Sequence, residues 1–314
     1  MVIANMNRGD VLKFLGWKKK LWLIISAAIM VPGIIALIAW KLPLGIDFKG
    51  GALFEIRLEE RSATQVELVE KLKNYPEARG AVVAEVGEKT FAIKVLPISE
   101  EEHQKILTSL TTDFGKISEQ QFQSVGPTVS RDLTAKAVKA IIYAALLIIL
   151  YLAYAFRAVS YPVSSWRFGV VAVIALLHDL IITVGVFDII AHFLHYEIDS
   201  TFITALLTVM GFSVHDTIVV FDRIRENLSK SRANTSAEFE ALADRSLGDT
   251  LNRLMATSLT VIFTLLALTV LGGESIRPFV VTLLVGITVG AYSSIFTATP
   301  LLVLWQSRAF TKKN

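Results

Sequence analysis

The sequence of 314 residues contains no cysteine. Disulfide frameworks, thiolate zinc sites, iron–sulfur clusters and cysteine nucleophiles are therefore excluded. Charged residues are also scarce, at 19% of the chain, whereas an average soluble domain has about 25%. Hydrophobic residues reach 53%, which is typical of a membrane protein and argues against a soluble enzyme or a disordered chain. In a membrane protein the net charge of +3 indicates basic cytoplasmic ends and no nucleic-acid partner.

Six apolar segments have the length, about 20 residues, that a helix needs to cross a bilayer. Four of them contain no charged residue, and these are 21–40, 140–156, 254–271 and 279–305. Segment 168–190 contains His178, Asp179 and Asp188, and segment 201–221 contains His215 and Asp216. We predict a polytopic α-helical protein with six transmembrane helices at these positions. The first segment ends without a small-residue cleavage site, which favours a retained anchor over a signal peptide.

The distribution of basic residues predicts the orientation. Sixteen lysine and arginine residues lie in segments 1–20, 157–167, 222–253 and 306–314, whereas the short loops on the opposite side contain only Arg277. Because lysine and arginine accumulate in cytoplasmic loops, both termini and the loop 222–253 are predicted to be cytoplasmic. The long segment 41–139 is then on the outer side.

Segment 41–139 alternates between the periodicities of strands and helices. Residues 52–58, 81–86, 90–96 and 119–125 have the pattern of strands, and a hairpin around Gly87-Glu88 joins the second to the third. A first helix is predicted from a capping box of Ser62 with Gln65 and an apolar stripe at Val66, Val69 and Leu72. The order βαββαβ predicts a ferredoxin-like α+β domain between the first two transmembrane helices.

The second helix of this domain is predicted from a capping box of Ser99 with Glu102, followed by Ile106, Leu110 and Phe114. The only histidine of the domain, His103, is expected on a solvated polar face of this helix. No cluster with the spacing of metal ligands or of a catalytic triad is present in the sequence of the domain. We interpret it as a binding or lever module without catalysis.

Asp216 is the leading functional candidate, since it lies about 8 Å from the middle of the fourth span toward the cytoplasm. An ionisable group at such depth costs about 2.5–3.5 kcal/mol on insertion scales and is functional by default. A carboxyl group in an apolar environment favours its neutral form, so Asp216 is predicted to take up and release protons. The alternative is a helix–helix hydrogen bond. His215 points about 100° away from Asp216 around the helix.

Asp179 is the second candidate and lies near the centre of the third span. Since the third and fourth helices run antiparallel, Asp179 and Asp216 could meet in one polar cavity. The alternative for Asp179 is a structural hydrogen bond to Thr183, four residues further along the helix. In the sixth span, Gly286, Gly290 and Ser294 are spaced by four residues, which favours close helix packing, within the chain or against a partner subunit.

Four ordered motifs resemble the SecD/SecF family of protein-export membrane proteins, which belongs to the RND superfamily. They are GIDFKGG (45–51) after the first helix, VGP (125–127) before the second, GFSVHDTIVVFDRIREN (211–227) in the fourth and TLNRLMATSLT (250–260) at the start of the fifth. Together with the six-helix plan, they extend this resemblance over nearly the whole chain.

The resemblance implies an accessory subunit in the bacterial inner membrane that pairs with SecD and assists the Sec translocation channel. Its substrate would be an unfolded secretory polypeptide, and its energy source the proton-motive force. It implies that Asp216 is the proton-path aspartate and that Arg253 is a functional arginine of this pathway at the start of the fifth helix. Asp179, from its position in the third span, and His215 are weaker candidates for the pathway; asparagine is common in the family at the position of His215. Further family motif residues in this sequence are Gly45, Asp47, Gly50, Gly51 and Arg223.

Three other functions remain open from the sequence. A proton-coupled small-solute transporter of the RND type would usually have twelve helices in a doubled chain. A passive scaffold would use the buried charges only to join helices. An intramembrane aspartyl protease built on Asp179 and Asp216 lacks the motif contexts of that class. We therefore predict no enzymatic activity and no cofactor beyond an ion gradient, of protons or, alternatively, of sodium, since a carboxylate suits either ion.

Overall fold

The computed structural model describes residues 19–157, 165–231 and 233–311. Parts of the predicted cytoplasmic segments 1–20 and 306–314 lie outside the described residues, together with the basic residues Arg8, Lys13, Lys18, Arg232, Lys312 and Lys313. In chain order the elements are α1 (Lys19–Ala39), α2 (Ile46–Lys49), β1 (Gly51–Leu58), α3 (Gln65–Leu72), β2 (Val82–Gly87), β3 (Thr90–Val95), α4 (Glu100–Phe114), β4 (Ile117–Val125), α5 (Pro127–Ala155), α6 (Ser165–Leu194), α7 (Ser200–Lys230), α8 (Ser236–Leu271), α9 (Arg277–Ser293) and α10 (Thr299–Thr311).

Six helical segments in the described part are long and apolar enough to cross a membrane, which confirms the predicted number. They are α1, α5, α6, α7, α8 and a composite of α9 and α10. The sixth segment is not one regular helix, because a π-helical turn at Ser294–Ala298 separates α9 from α10. Such turns insert one extra residue into a helix and are frequent at functional sites.

Much of the predicted cytoplasmic loop 222–253 is helical. Helix α7 continues to Lys230, and α8 begins at Ser236 with Thr235 as its N-cap, whose hydroxyl accepts the Glu238 N–H over 3.2 Å. At 1.5 Å per residue, α8 is about 54 Å long, far more than the hydrocarbon core of about 30 Å. Its first half is therefore available for polar contacts, such as the hydrogen bond of Asn227 Nδ2 with Ser246 Oγ at 2.8 Å.

The four strands form one antiparallel sheet in the order β2-β3-β1-β4. With α3 and α4 between the strands, this is the predicted ferredoxin-like arrangement. The hairpin between β2 and β3 turns at Glu88 and Lys89, and Lys89 adopts a positive φ of 57°. Side chains of β1, β3, α3 and α4, among them Phe54, Ile93, Leu68 and Leu110, build its hydrophobic core.

The start of α3 differs from the sequence prediction. Thr64, not Ser62, is the N-cap, and its hydroxyl accepts the Glu67 N–H over 3.2 Å. The predicted stripe is also wrong at Val66, which is 68% exposed. Leu72 is buried as predicted, and Leu68 is buried in place of Val66, since Leu68 and Leu72, four residues apart, share the helix face that meets the sheet.

The prediction of a solvated His103 is wrong. Its side chain is only 2% exposed, its ring stacks on Phe122 with centroids 3.7 Å apart, and its Nε2 lies 2.9 Å from Glu119 Oε1. The reason lies in the helix period: His103 precedes Ile106 by three residues and so extends the buried stripe of α4 by one turn. The capping box of Ser99 with Glu102 at the start of this helix is confirmed.

The described residues divide into two compact units. The sheet unit consists of Leu44–Ala140 together with Glu197–Ser200, and the helical unit contains the remaining described residues. The helical unit has its own core, in which Phe156, Phe168 and Phe221 contact one another at centroid distances of 5.3 to 6.1 Å.

Candidate functional site

Asp179 lies at the centre of a polar cluster inside the helical unit. It is fully buried on α6, and its Oδ2 accepts hydrogen bonds from Ser213 Oγ of α7 and Ser293 Oγ of α9, both over 2.6 Å. Its Oδ1 lies 2.9 Å from His178 Nδ1. Three helices therefore meet at one carboxylate.

The contact with Thr183 differs from the expected alternative. Thr183 Oγ1 donates to the backbone carbonyl of Asp179 over 2.6 Å and leaves the carboxylate to the serines. Burying a charge is expensive unless the group is hydrogen-bonded, and here two hydroxyl groups from other helices provide the donors. The carboxylate therefore joins helices and is at the same time a protonatable group within a membrane-spanning segment.

Asp216 is buried on α7, with 6% of its surface exposed. Its Oδ2 accepts a longer hydrogen bond, 3.3 Å, from Ser258 Oγ of α8. Ser213, which donates to Asp179, lies three residues before Asp216 on the same helix, so α7 links the two acids. The next residue, Thr217, forms a hydroxyl–hydroxyl hydrogen bond of 3.1 Å with Ser294, the first residue of the π-helical turn.

His215 and Arg253 are both exposed on the surface of the chain, unlike Asp216. The exposure of His215 beside the buried Asp216 agrees with the rotation of about 100° that separates adjacent residues on a helix. His215 is the residue before Asp216 on α7, and Arg253 and Asp179 lie close enough to interact electrostatically with Asp216. The structure thus gathers the four predicted pathway residues around one region of α7, with the two acids buried and the two bases exposed.

The spaced glycines of α9 bring it close to α7. A Cβ atom on Gly286 would lie 2.2 Å from Cγ2 of Val209, and one on Gly290 would lie 3.3 Å from Cα of Ser213. The close approach allows Ser293 to reach Asp179. This face is buried within the chain, so the prediction of internal packing is confirmed and the alternative of a free surface for a partner is wrong.

The glycine motif of 45–51 folds into the short helix α2 and the start of β1. Gly50 has a φ of 77° and Gly51 a φ of 145°, and a Cβ on Gly51 would lie 2.9 Å from the Val95 carbonyl oxygen. The buried Asp47 accepts the backbone N–H of Ser200 over 2.9 Å and lies 3.4 Å from Gln123 Nε2, a weak donor at that distance. Only glycine suits both the positive φ values and the close contact.

Arg223 joins the C-terminal part of α7 to the N-terminal half of α8. Its Nε and Nη2 donate to Asp249 Oδ2 over 3.1 and 2.8 Å, and its Nη1 donates to Glu226 over 2.7 Å. The sequence prediction named Arg223 only as a motif residue, and the structure gives it a helix-bridging contact.

Sequence reasoning did not identify the serine partners of the two acids. Ser213 lies three residues before Asp216, a spacing that places a hydroxyl group next to an acid on one side of α7. For Ser258 and Ser293 no comparable signal is present, because they lie on other helices. Within the described ranges, no group of three or more histidine, aspartate or glutamate residues is arranged to hold a metal ion.

Known proteins of one family match this chain over nearly its whole length. The family model "Protein export membrane protein SecD/SecF, C-terminal" matches residues 105–308, and the model "SecD/SecF GG Motif" matches residues 36–60. The protein translocase subunit SecF of Thermobaculum terrenum is 42% identical over 94% of each chain, and that of Anaerolinea thermophila is 38% identical over 95% of each chain.

Longer relatives match over part of their length. The protein translocase subunit SecDF of Bacillus subtilis is 34% identical over 95% of this chain, which spans 38% of that relative. The crystal structure of SecDF from Thermus thermophilus, a translocon-associated membrane protein, is 32% identical with a TM-score of 0.76. SecDF in a super-membrane-facing form is 30% identical with a TM-score of 0.62. This chain covers 38% of each solved chain and is itself covered to 92% and 95%. The six membrane-spanning helices, the glycine motif and the relatives agree, and the chain belongs to the SecD/SecF family of protein export membrane proteins.

Proposed function

We propose that this chain is an accessory subunit of the bacterial Sec protein-export machinery that pairs with SecD and couples late translocation to the proton-motive force. The observation that carries the proposal is the pair of buried acids, Asp179 and Asp216, on neighbouring helices of a chain from this family. The protein has no catalytic role in this proposal and acts through a conformational change.

Asp216 is the proton-exchanging group. Its hydrogen bond to Ser258 is long, 3.3 Å, and part of its surface is exposed, so water reaches it more easily than Asp179. Sequential protonation and release at Asp216 therefore requires no large opening of the helical unit.

Asp179 converts the change of charge into a change of packing. While ionised, it accepts hydrogen bonds from the hydroxyl groups of Ser213 and Ser293, and hydrogen bonds to a charged group contribute about 1.5–3 kcal/mol each. One charge that crosses 100 mV provides about 2.3 kcal/mol. The two quantities are of the same size, so one proton is sufficient to rearrange one of the contacts that hold α7 and α9 to α6.

The orientation in this proposal is inferred from the distribution of basic residues. The chain lies in a bacterial inner membrane with both termini in the cytoplasm and the sheet unit on the outer side. The sheet unit then lies where the unfolded secretory polypeptide leaves the Sec channel. A domain tethered to two membrane helices can undergo a rigid-body movement when those helices repack.

The pairing with SecD is supported by an exposed stripe of small and polar side chains along α7. Its members are spaced by three or four residues and are Thr201, Thr204, Thr208, Gly211 and His215. Small and polar residues on a membrane-spanning helix favour a neighbouring helix over lipid. The Bacillus subtilis relative is named SecDF and is longer than this chain, which is consistent with a second, paired half.

The proposal is tested in vesicles that contain the Sec channel, SecD and this chain. Export of a secretory precursor is measured with a pH gradient, with a sodium gradient and without either. We expect the pH gradient alone to increase export. An increase with sodium alone would identify sodium as the coupling ion, and no increase with either gradient would contradict gradient coupling.

A further inference from the structure

The segment Glu197–Ser200 and the glycine motif form a set of contacts that the proposed function does not use. Although this segment lies between α6 and α7 in the sequence, it belongs to the sheet unit. Its last residue, Ser200, is also the first residue of α7, the helix that carries Asp216. Ser200 is thus a residue of both the sheet unit and α7.

Asp47 caps the start of α7 from a distant part of the chain. The first backbone N–H groups of a helix have no partner within the helix, and a carboxylate there is also favoured by the helix dipole. The Ser200 N–H donates to Asp47 Oδ2 over 2.9 Å, although the two residues are 153 positions apart. The turn that holds Asp47 in place is closed by the Lys49 and Gly50 N–H groups, which donate to the carbonyls of Gly45 and Ile46.

Two further contacts hold the same segment. The Gly45 N–H donates to the Ile198 carbonyl over 2.8 Å, and a Cβ on Gly45 would lie 3.0 Å from this oxygen. Lys94 of β3 forms an ion pair with Glu197 at 2.7 Å. The four residues Glu197–Ser200 are therefore held by three contacts with the rest of the sheet unit: a backbone hydrogen bond, an ion pair and a helix cap.

We propose that these contacts form a latch that holds the segment Glu197–Ser200, which leads into α7, within the sheet unit, with Asp47 as its positioning residue. Asp216 lies sixteen residues beyond Ser200, about 24 Å along the same helix. A shift of α7 that follows a change of charge at Asp216 is then transmitted to the sheet unit by the latch. This inference rests on the proposed function for its role in export, but the latch itself is measured independently of export.

The first measurement is hydrogen exchange at the Ser200 amide in the full chain with SecD. Asp47→Ala is expected to accelerate exchange about fivefold, the change that loss of a typical helix cap gives. Asp132→Ala is the matched control, because this exposed aspartate of α5 forms an ion pair with Lys136, four residues away on the same helix. Unchanged exchange in Asp47→Ala would overturn the latch whatever the result for export.

The second measurement is gradient-driven export with a covalent rescue. We expect Asp47→Ala to assemble normally with SecD and to reduce gradient-driven export about fivefold, the factor that corresponds to loss of a typical helix cap. Lys94→Cys and Glu197→Cys, joined by a short bismaleimide in the Asp47→Ala chain, should restore it, and the absence of native cysteine makes this link specific.

Normal export by Asp47→Ala, or a cross-link that restores nothing, would refute the positioning role. If Asp47→Ala does not assemble, Asp47→Leu serves in its place, since leucine has nearly the same shape and cannot accept the Ser200 N–H. If the unmodified chain shows no gradient-driven export, the proposed function fails, and the exchange of the Ser200 amide still decides whether the latch exists.

Discussion

Replacing Asp179 with alanine is expected to destabilise the helical unit far more than replacing it with asparagine. Alanine removes the acceptor of two buried hydroxyl groups, those of Ser213 and Ser293. A buried polar group left without its partner costs about 1–3 kcal/mol, so the two together cost about 2–6 kcal/mol. That is a large part of the total stability of about 5–15 kcal/mol that a folded domain usually has.

Asparagine keeps one oxygen and gains an N–H donor in nearly the same shape. A serine hydroxyl both donates and accepts hydrogen bonds, so the cluster can reorganise at a cost of about 1 kcal/mol or less. Asp179→Asn should therefore assemble with SecD at a normal level, but it cannot exchange a proton. We expect normal thermal stability of the purified complex together with loss of most gradient-driven export.

A triple variant separates the lost hydrogen bonds from the lost charge. In Asp179→Ala with Ser213→Ala and Ser293→Ala, no hydroxyl group is left without a partner, and removal of both partners is often nearly neutral. The triple variant should unfold at a higher temperature than Asp179→Ala alone. Equal stability of Asp179→Ala and the unmodified chain would refute the hydrogen-bond argument. Normal export by Asp179→Asn would refute a role for its proton.

Three further predictions concern other parts of the chain. Asp216→Asn should form the complex normally and lose gradient-driven export in energised vesicles, and full export would exclude Asp216 as the proton carrier. Gly286→Ala should destabilise the complex by about 1–3 kcal/mol through overpacking, since its Cβ would lie 2.2 Å from a valine methyl group of α7; Gly273→Ala, which meets open space, should leave the unfolding temperature unchanged. A single cysteine at Lys89 should react with an impermeant thiol reagent on intact cells and one at Ser236 should not, and the reverse pattern would contradict the predicted orientation.

The helices and strands were predictable because they depend on local patterns. Apolar runs of bilayer length predict the six spanning helices, and alternation of period two predicts the strands of the sheet. The capping box of Ser99 was also predictable, since its partners are three residues apart. The error at Val66 rests on a wrongly assigned helix face, and the error at His103 rests on a buried stripe that begins one turn earlier than predicted.

The candidate site was predictable only as far as single helices allow. An acid inside an apolar run, such as Asp216, attracts attention because burial of its charge is expensive. The sequence does not show which of the two acids has more hydrogen-bond donors, since the hydroxyl partners of Asp179 come from residues 34 and 114 positions away. Which faces of three helices meet depends on packing, and here on the glycines of α9.

The same division holds for the glycine motif. The sequence alone indicates residues that need unusual backbone angles, and the positive φ values of Gly50 and Gly51 agree with this. It contains no local sign that Asp47 accepts the N–H of Ser200, because the two residues are 153 positions apart. Only the tertiary structure brings the glycine turn to the first residue of α7, since hydrogen bonds between distant segments form only where the packed chain places donor and acceptor within about 3 Å of each other.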